Sequence, residues 1–275
     1  MRQKHQIYLI SDSTGETLDR IFLAIQSQFS NFSYEKKEFV FIRTEQQINK
    51  IIEECRKKKK IIILYTIVEI KLAKYLSQTC ENQKISCFGI LGNLILNFSK
   101  LLNQKASHTP SAQHVLDEDY YKRIEAIQFA MSHDDGMKTE DIKKADVVLL
   151  GVSRTSKTPT SIYLANRGYK TLNIPLVNNQ EVPNILKDKR NKFCVIGLVV
   201  EASRLSDIRT NRLEIMKETN IPNYSDLEFV QKEVEDSKNL FKKYKWPIID
   251  VTRKSVEETA ASVIRIYEIK KSQKK

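Results

Sequence analysis

Short β-branched and apolar runs return along the whole chain, at Ile7 to Ile10, Phe39 to Ile42, Ile61 to Tyr65, Ile85 to Leu91, Val147 to Leu150, Thr171 to Ile174, Phe193 to Val200 and Pro247 to Val251. Most are separated by stretches with apolar residues at helical spacing, as in Leu18 to Phe29, Gln46 to Cys55, Ser161 to Asn166 and Val256 to Tyr267. Strands that alternate with helices join by crossovers, so the pattern predicts an α/β fold with largely parallel sheets. Between Leu91 and Asp146 the strand signals stop and helical text takes over, including Leu116 to Ile127. The sheet signals therefore fall into two groups. We expect an N-terminal parallel-sheet α/β domain with a helical extension over 1–140, which makes a helical middle, and a second α/β domain over 141–275. The boundary is placed near residue 140, after His133-Asp134-Asp135-Gly136.

A length of 275 residues agrees with two domains, and 41% hydrophobic residues interleaved with 29% charged ones supply a core and exclude wholesale disorder. No apolar run approaches the roughly 20 residues that cross a bilayer. The chain enters Ile7-Tyr8-Leu9-Ile10 almost at once, which leaves no room for a signal sequence and predicts an untargeted, cytoplasmic protein. Cys55, Cys80, Cys87 and Cys194 form no Cys-x-x-Cys pair, and His5, His108, His114 and His133 show no ligand spacing, so reduced thiols and no zinc site are expected. The net charge of +12 comes mostly from diffuse lysine. Its dense runs, Arg56 to Lys60 and the frayed terminus Lys270 to Lys275, lack the interleaved aromatics that stack on bases. A solvated surface, with no nucleic-acid partner, is the expectation.

The strongest motif is Val147-Val148-Leu149-Leu150 followed by Gly151-Val152-Ser153-Arg154-Thr155-Ser156-Lys157-Thr158 and a helical segment. Strand, tight loop and helix start are the setting a P-loop requires, and the template G-x-x-x-x-G-K-[ST] is met except where Ser156 replaces the second glycine. In such a loop successive N–H groups and the helix N-terminus surround a phosphate. Lys157 would meet the terminal phosphate, the Thr158 hydroxyl would complete the shell of a phosphate-bound Mg²⁺, and Arg154 would offset charge on the transferring group. The C-terminal domain is thus expected to be a P-loop, kinase-like α/β domain. An ordinary Ser/Thr helix cap with Pro159 in the first turn is the plainer alternative.

Three further segments carry weaker signals. Ser11-Asp12-Ser13-Thr14-Gly15-Glu16-Thr17 follows the first strand, where Ser13 and Glu16 fit a capping box and a second anion site is the functional alternative. His133-Asp134-Asp135-Gly136 ends a helical stretch, with Gly136 as its stop and two carboxylates set against the helix dipole. Either acid could lie near Lys157 to take a proton or hold a metal, or the turn could simply be solvated. Arg204, Arg209 and Arg212 form a basic helical patch, a phosphate lid or a solvated face.

Together these motifs resemble the bifunctional regulatory proteins of pyruvate, phosphate dikinase and of phosphoenolpyruvate synthase. The resemblance rests on Ser11 to Thr17, Arg123-Ile124-Glu125-Ala126-Ile127, His133 to Gly136, Gly151 to Lys170, and Asp250-Val251-Thr252 with Ser255 to Ala260. It spans nearly the whole chain, matching poorly at Asn93 to Thr109 and at Val199 to Ala202. The resemblance implies ADP-dependent phosphorylation of a target threonine, which inactivates the dikinase, and attack of inorganic phosphate on that phosphothreonine to form pyrophosphate. The Arg154-Thr155-Ser156-Lys157 version of the loop resembles the dikinase branch; the synthase branch tends to carry Cys-Gly in place of Thr155-Ser156.

From this we expect catalytic roles for Asp135 as base, Lys157 and Arg154, nucleotide binding by Gly151 to Thr158, and a metal contact from Thr158. ADP, inorganic phosphate and Mg²⁺ are the expected small partners, and the dikinase is the expected protein substrate. A homodimer is left open. The alternatives are a P-loop small-molecule kinase, the same chemistry on phosphoenolpyruvate synthase, and a noncatalytic nucleotide or nucleic-acid binder.

Overall fold

The computed structural model describes residues 4–112, 117–177, 181–188, 190–216 and 223–273. His114, Leu116, Lys274 and Lys275 lie outside the described residues. The chain divides into two compact units, Met1–Val115 and Leu116–Lys275. Among the described residues no helix is long and apolar enough to cross a membrane.

The first unit runs β1 (His5–Ser11), α1 (Glu16–Gln26), β2 (Tyr34–Phe39), α2 (Glu45–Arg56), β3 (Ile61–Thr66), α3 (Ile70–Asn82), β4 (Ser86–Gly89) and α4 (Gly92–Leu102). Its strands form one parallel sheet in the order β2-β1-β3-β4. Alternate residues of the central strands feed two cores: Tyr8, Ile10 and Ile63 pack with α2 and α3, and Ile7, Leu9 and Leu64 with Leu18 and Phe22 of α1. Helices on both faces bury a parallel sheet, and each such Leu or Ile contributes about 1.5–3 kcal/mol.

The expected strand at Phe39 to Ile42 lies earlier, at Tyr34–Phe39. Tyr-Glu-Lys-Lys-Glu-Phe has no apolar run because it is an edge strand, where charge protects an open side. The apolar residues after it brace the loop that follows β1: Phe41, at φ 53°, donates its N–H to Ser13 and Ile42 donates to Ser11.

The second unit contains α5 (Glu118–Ser132), β5 (Val147–Gly151), α6 (Lys157–Asn166), β6 (Thr171–Pro175), β7 (Cys194–Val199), α7 (Ala202–Met216), α8 (Leu227–Tyr244), β8 (Ile248–Asp250) and α9 (Val256–Ser272). Short 3₁₀ turns occupy Asp134–Gly136 and Thr139–Lys144. The parallel order is β6-β5-β7-β8. Val147 and Leu149 face a core with Leu164 and Val263, while Val148 and Leu150 face Phe129, Leu172 and Phe241. A Cβ at Gly197 would sit 2.4 Å from the Phe241 ring, so glycine is what lets α8 close over β7.

Because α5 packs on α6 and β6, the compact units part between Val115 and Leu116, upstream of residue 140. The helical middle is accordingly shared between α4 and α5. Helix α9 reaches Ser272, so Lys270 and Lys271 are helical rather than frayed.

In both units the first strand of the motif sends its chain to one side of the sheet and the third sends it to the other. That reversal opens a crevice beyond the carboxyl ends of the two central strands, the usual ligand position in open α/β sheets. The loops after β1 and after β5 stand there.

Candidate phosphate site

The loop after β5 begins where the buried strand Val-Val-Leu-Leu-Gly ends. A Cβ on Gly151 would meet Thr155 Oγ1 at 2.5 Å and the Leu198 carbonyl oxygen at 2.8 Å, so only glycine lets the chain turn back this tightly. Arg154 and Ser156 both adopt left-handed backbone, at φ 71° and 58°. Ser156 thus takes the conformation for which glycine is favoured, at a cost of about 1–2 kcal/mol. Such turns gather main-chain N–H groups into an anion-binding concavity.

The ordinary cap does not form. Ser156 is the N-cap of α6 yet its side chain makes no cap bond. The Thr155 hydroxyl donates instead to the Val152 carbonyl (2.9 Å), and the Thr158 hydroxyl to Asp134 Oδ1 (3.1 Å). The start of α6 therefore keeps its positive dipole end without a side-chain oxygen, a setting that favours a bound anion.

Lys157 is only 5% exposed, and its Nζ donates to the Val152 carbonyl at 3.0 Å. Burial pushes its pKa down to about 8; the carboxylates of Asp135 and Asp134 oppose that shift, and Arg209 and Arg154 add to it. An anion brought beside this buried ammonium would favour its charged form and oppose the downward shift.

The acidic turn lies beside this loop. Helix α5 ends at Ser132 with His133 as its cap, three residues before the expected stop at Gly136. His133 is buried, stacked on Phe129 at 3.9 Å, and its Nδ1 donates to the Phe129 carbonyl at 2.7 Å. This anchors a turn in which Asp135 is left-handed, at φ 48°.

The two acids then divide. Asp134 accepts from Thr158 and from the Asn173 side-chain amide, and the Asp135 N–H donates to Asn173 Oδ1 at 3.0 Å. The Asp135 side chain is exposed and contributes the largest carboxylate attraction at Lys157. Sequence reasoning missed Asn173, whose signal was a polar residue inside the buried strand Thr-Leu-Asn-Ile-Pro.

Among the described residues no cluster of three or more His, Cys, Asp or Glu stands ready for a metal. The Thr158 hydroxyl with the Asp134 carboxylate is an oxygen pair that fits Mg²⁺ delivered on phosphates, since that ion usually takes one or two protein oxygens and keeps several waters.

The three arginines of α7 do not share a face. Arg204 and Arg212 are exposed, whereas Arg209 is 1% exposed and turned inward, so α7 presents neither a three-arginine lid nor a solvated three-arginine face. Arg209 pairs with Glu233 at 2.7 Å and donates to the carbonyls of Tyr224 (2.9 Å) and Ser153 (3.3 Å). Arg154 is exposed, with its Nε 3.4 Å from the Tyr224 hydroxyl.

In the first unit the expected capping box is absent, because Gly15, at φ 83°, is the N-cap of α1 and no side chain caps that helix. A cavity of about 370 Å³ lies over Ser11 to Thr17, with Thr66, Val68, His108 and Ser111 on its wall. Asp12 is buried and accepts from the Val68 N–H at 2.7 Å, and burial pushes its carboxyl pKa up. None of the described lining residues is lysine or arginine.

A sequence model of the kinase/pyrophosphorylase family matches residues 7–264 of this chain, across both loops. The chain belongs to that family. It is 62% identical over 272 residues to a protein of Pelagibacter ubique named as a pyruvate, phosphate dikinase regulatory protein, with 99% of each chain covered. A Bartonella bacilliformis protein of the same name is 40% identical over 260 residues, covering 94% of this chain and 92% of its own. One from Brucella ovis is 42% identical over 265 residues, covering 94% and 93%. A kinase/pyrophosphorylase is a phosphotransfer enzyme. Within this family member the lysine, arginine and paired acids gather around the loop after β5, and the loop after β1 has no lysine of its own.

Proposed function

We propose that this family member is a bifunctional serine/threonine kinase and phosphorylase that regulates pyruvate, phosphate dikinase. In one direction ADP donates its terminal phosphoryl group to a threonine of the dikinase, AMP leaves, and the dikinase is inactivated. In the other, inorganic phosphate attacks the phosphothreonine, pyrophosphate leaves, and the dikinase is restored. The names of the full-length relatives support the target.

The observation that supports the reading is the acidic turn beside the loop: Asp134 accepts from Thr158, and the carboxylates of Asp135 and Asp134 both act on buried Lys157. Gly151 to Thr158 hold the diphosphate and Lys157 neutralises the migrating group, with Arg154 swinging from Tyr224 to share that charge. Asp135 accepts the proton of the threonine hydroxyl in the forward direction and that of phosphate in the reverse. Phosphoryl transfer depends mainly on positioning and charge, so one site serves both directions. Asp134 orients Thr158, and the two would hold Mg²⁺, which would neutralise phosphate charge when bound.

The test is incubation with purified dikinase and either ADP or ATP, followed by mass spectrometry of the dikinase, with phosphoenolpyruvate synthase as a parallel target. ADP-dependent phosphothreonine on the dikinase is expected. Transfer from ATP alone would overturn the donor, and modification of the synthase alone would overturn the target.

A further inference from the structure

The second unit buries one arginine whose bonds converge on the phosphate loop. Arg209 donates through Nη1 to Glu233 Oε2 (2.7 Å) and the Tyr224 carbonyl (2.9 Å), and through Nη2 to the Ser153 carbonyl (3.3 Å). Its guanidinium carbon lies 4.8 Å from the centroid of the Tyr224 ring. The Tyr224 hydroxyl in turn reaches Ser153 Oγ at 3.3 Å and Arg154 Nε at 3.4 Å. Among the described residues Arg209 Nε is buried with no hydrogen-bond partner.

A buried Arg–Glu pair is weak evidence of a stabilising role, because desolvation offsets much of its attraction and apolar residues often replace it without loss. What an apolar residue would not supply here is a donor to a loop carbonyl. The peptide unit is planar and trans, so its C=O and N–H point in opposite directions. Tying the Ser153 carbonyl to Arg209 therefore fixes the following N–H, that of Arg154, on the far side of the same peptide plane. Arg154 is also one of the two left-handed residues of the loop, where an unanchored peptide would be free to flip.

We infer that Arg209, held by Glu233 and Tyr224, is a positioning residue that presets the Ser153–Arg154 peptide of the loop for a phosphate. This rests on the loop being the diphosphate site. Arg209 itself makes no contact with the phosphate; it acts through the main chain and through Tyr224, which also parks Arg154 beside the loop.

The experiment compares full-length Arg209→Lys, Arg209→Met and Tyr224→Phe with the parent. It measures ADP and inorganic phosphate affinity by calorimetry, amide hydrogen exchange over 153–157, and the KM for each substrate. Loss of a charge-assisted hydrogen bond predicts about tenfold or more weaker binding of both ligands in Arg209→Lys, with faster exchange confined to the loop. The KM for the protein target should not move. Tyr224→Phe keeps the ring under Arg209 and should weaken binding about two- to fivefold, which tests the idea even if Arg209→Met fails to fold.

Folded Arg209→Lys and Tyr224→Phe proteins with unchanged affinities and unchanged loop exchange would overturn the inference. A parent protein that binds neither ligand, yet whose loop exchange still responds to Arg209→Lys, would overturn the proposed function while supporting the anchoring of the loop.

Discussion

The two units repeat one strand order, second-first-third-fourth, and each sends a hydroxyl-rich loop from its leading strand into the crevice where that order reverses. Their charged side chains nevertheless differ. The loop after β5 holds a buried lysine with two carboxylates beside it, and the loop after β1 holds a buried aspartate and no lysine. Topology supplies the concave place and the helix dipole in both; the side-chain charges differ, and under the proposed function that difference assigns the phosphoryl group to the loop after β5. A shared architecture is accordingly weak evidence of a shared reaction, as expected when function is set by sites and not by folds.

The largest expected effect separates the loops outright. Lys157→Met should lower transfer in both directions by roughly 10³-fold, about 4 kcal/mol of transition-state stabilisation. Ser13→Ala in the other loop should leave the rate within about threefold. Equal losses would mean that both loops take part in the reaction. Next, Asp135→Asn should cost about 10²-fold in each direction with the circular dichroism spectrum unchanged, the usual scale for removing a general base. A rate within about threefold of the parent would leave no base role for Asp135.

The pH dependence should follow. Lys157 titrates near 8 in the folded chain, so kcat/KM for ADP should fall about tenfold per unit above that pH as the ammonium is lost. A profile that stays flat to about pH 9.5 would dissociate Lys157 from the neutralising role. The same shift acts on stability with a definite sign. Folding depresses this pKa from 10.5 to about 8, so in that interval the unfolded chain binds more protons and the ligand-free fold gains stability as pH rises. Thermal unfolding of Lys157→Met should lack that component of the gain and should start from a more stable protein at pH 7.

The smallest effects compare the backbones. Gly15, at φ 83° with Val40 Cγ1 3.0 Å from where a Cβ would be, should resist Gly15→Ala by about 1–2 kcal/mol. Ser156→Gly should stabilise by up to about 1 kcal/mol, because it relieves a left-handed serine, less the added freedom of glycine in the unfolded chain. Chemical denaturation of the two variants reads both. A destabilised Ser156→Gly protein would show that the serine side chain holds the loop in a way its geometry does not reveal.

Much of this was legible in the residues. Apolar β-branched runs separated by helical periodicity announced the parallel sheets, because strands buried on both faces must be continuously hydrophobic. Edge strand β2 escaped for the converse reason: an exposed edge is written in Lys and Glu. The tight turn at Gly151 was legible because that backbone position admits only glycine, and Ser156 takes left-handed backbone at the position where the template has its second glycine. The supposed capping box of Ser13 and Glu16 shows the limit. Its two residues had the right spacing, but Phe41 and Ile42, pairing with Ser13 and Ser11, shape the loop so that Gly15 opens the helix.

By itself, then, the sequence determined the succession of strand, tight turn and helix around Gly151 to Thr158, since turn geometry, propensity and apolar periodicity act over a few residues. Only the tertiary structure decided which acid faces outward, that Asn173 fixes the acidic turn, and that Arg209 is drawn inward while Arg204 and Arg212 stay on the surface. Those outcomes depend on pairing and burial between residues tens of positions apart, and a buried charge is settled by the partners the fold brings to it.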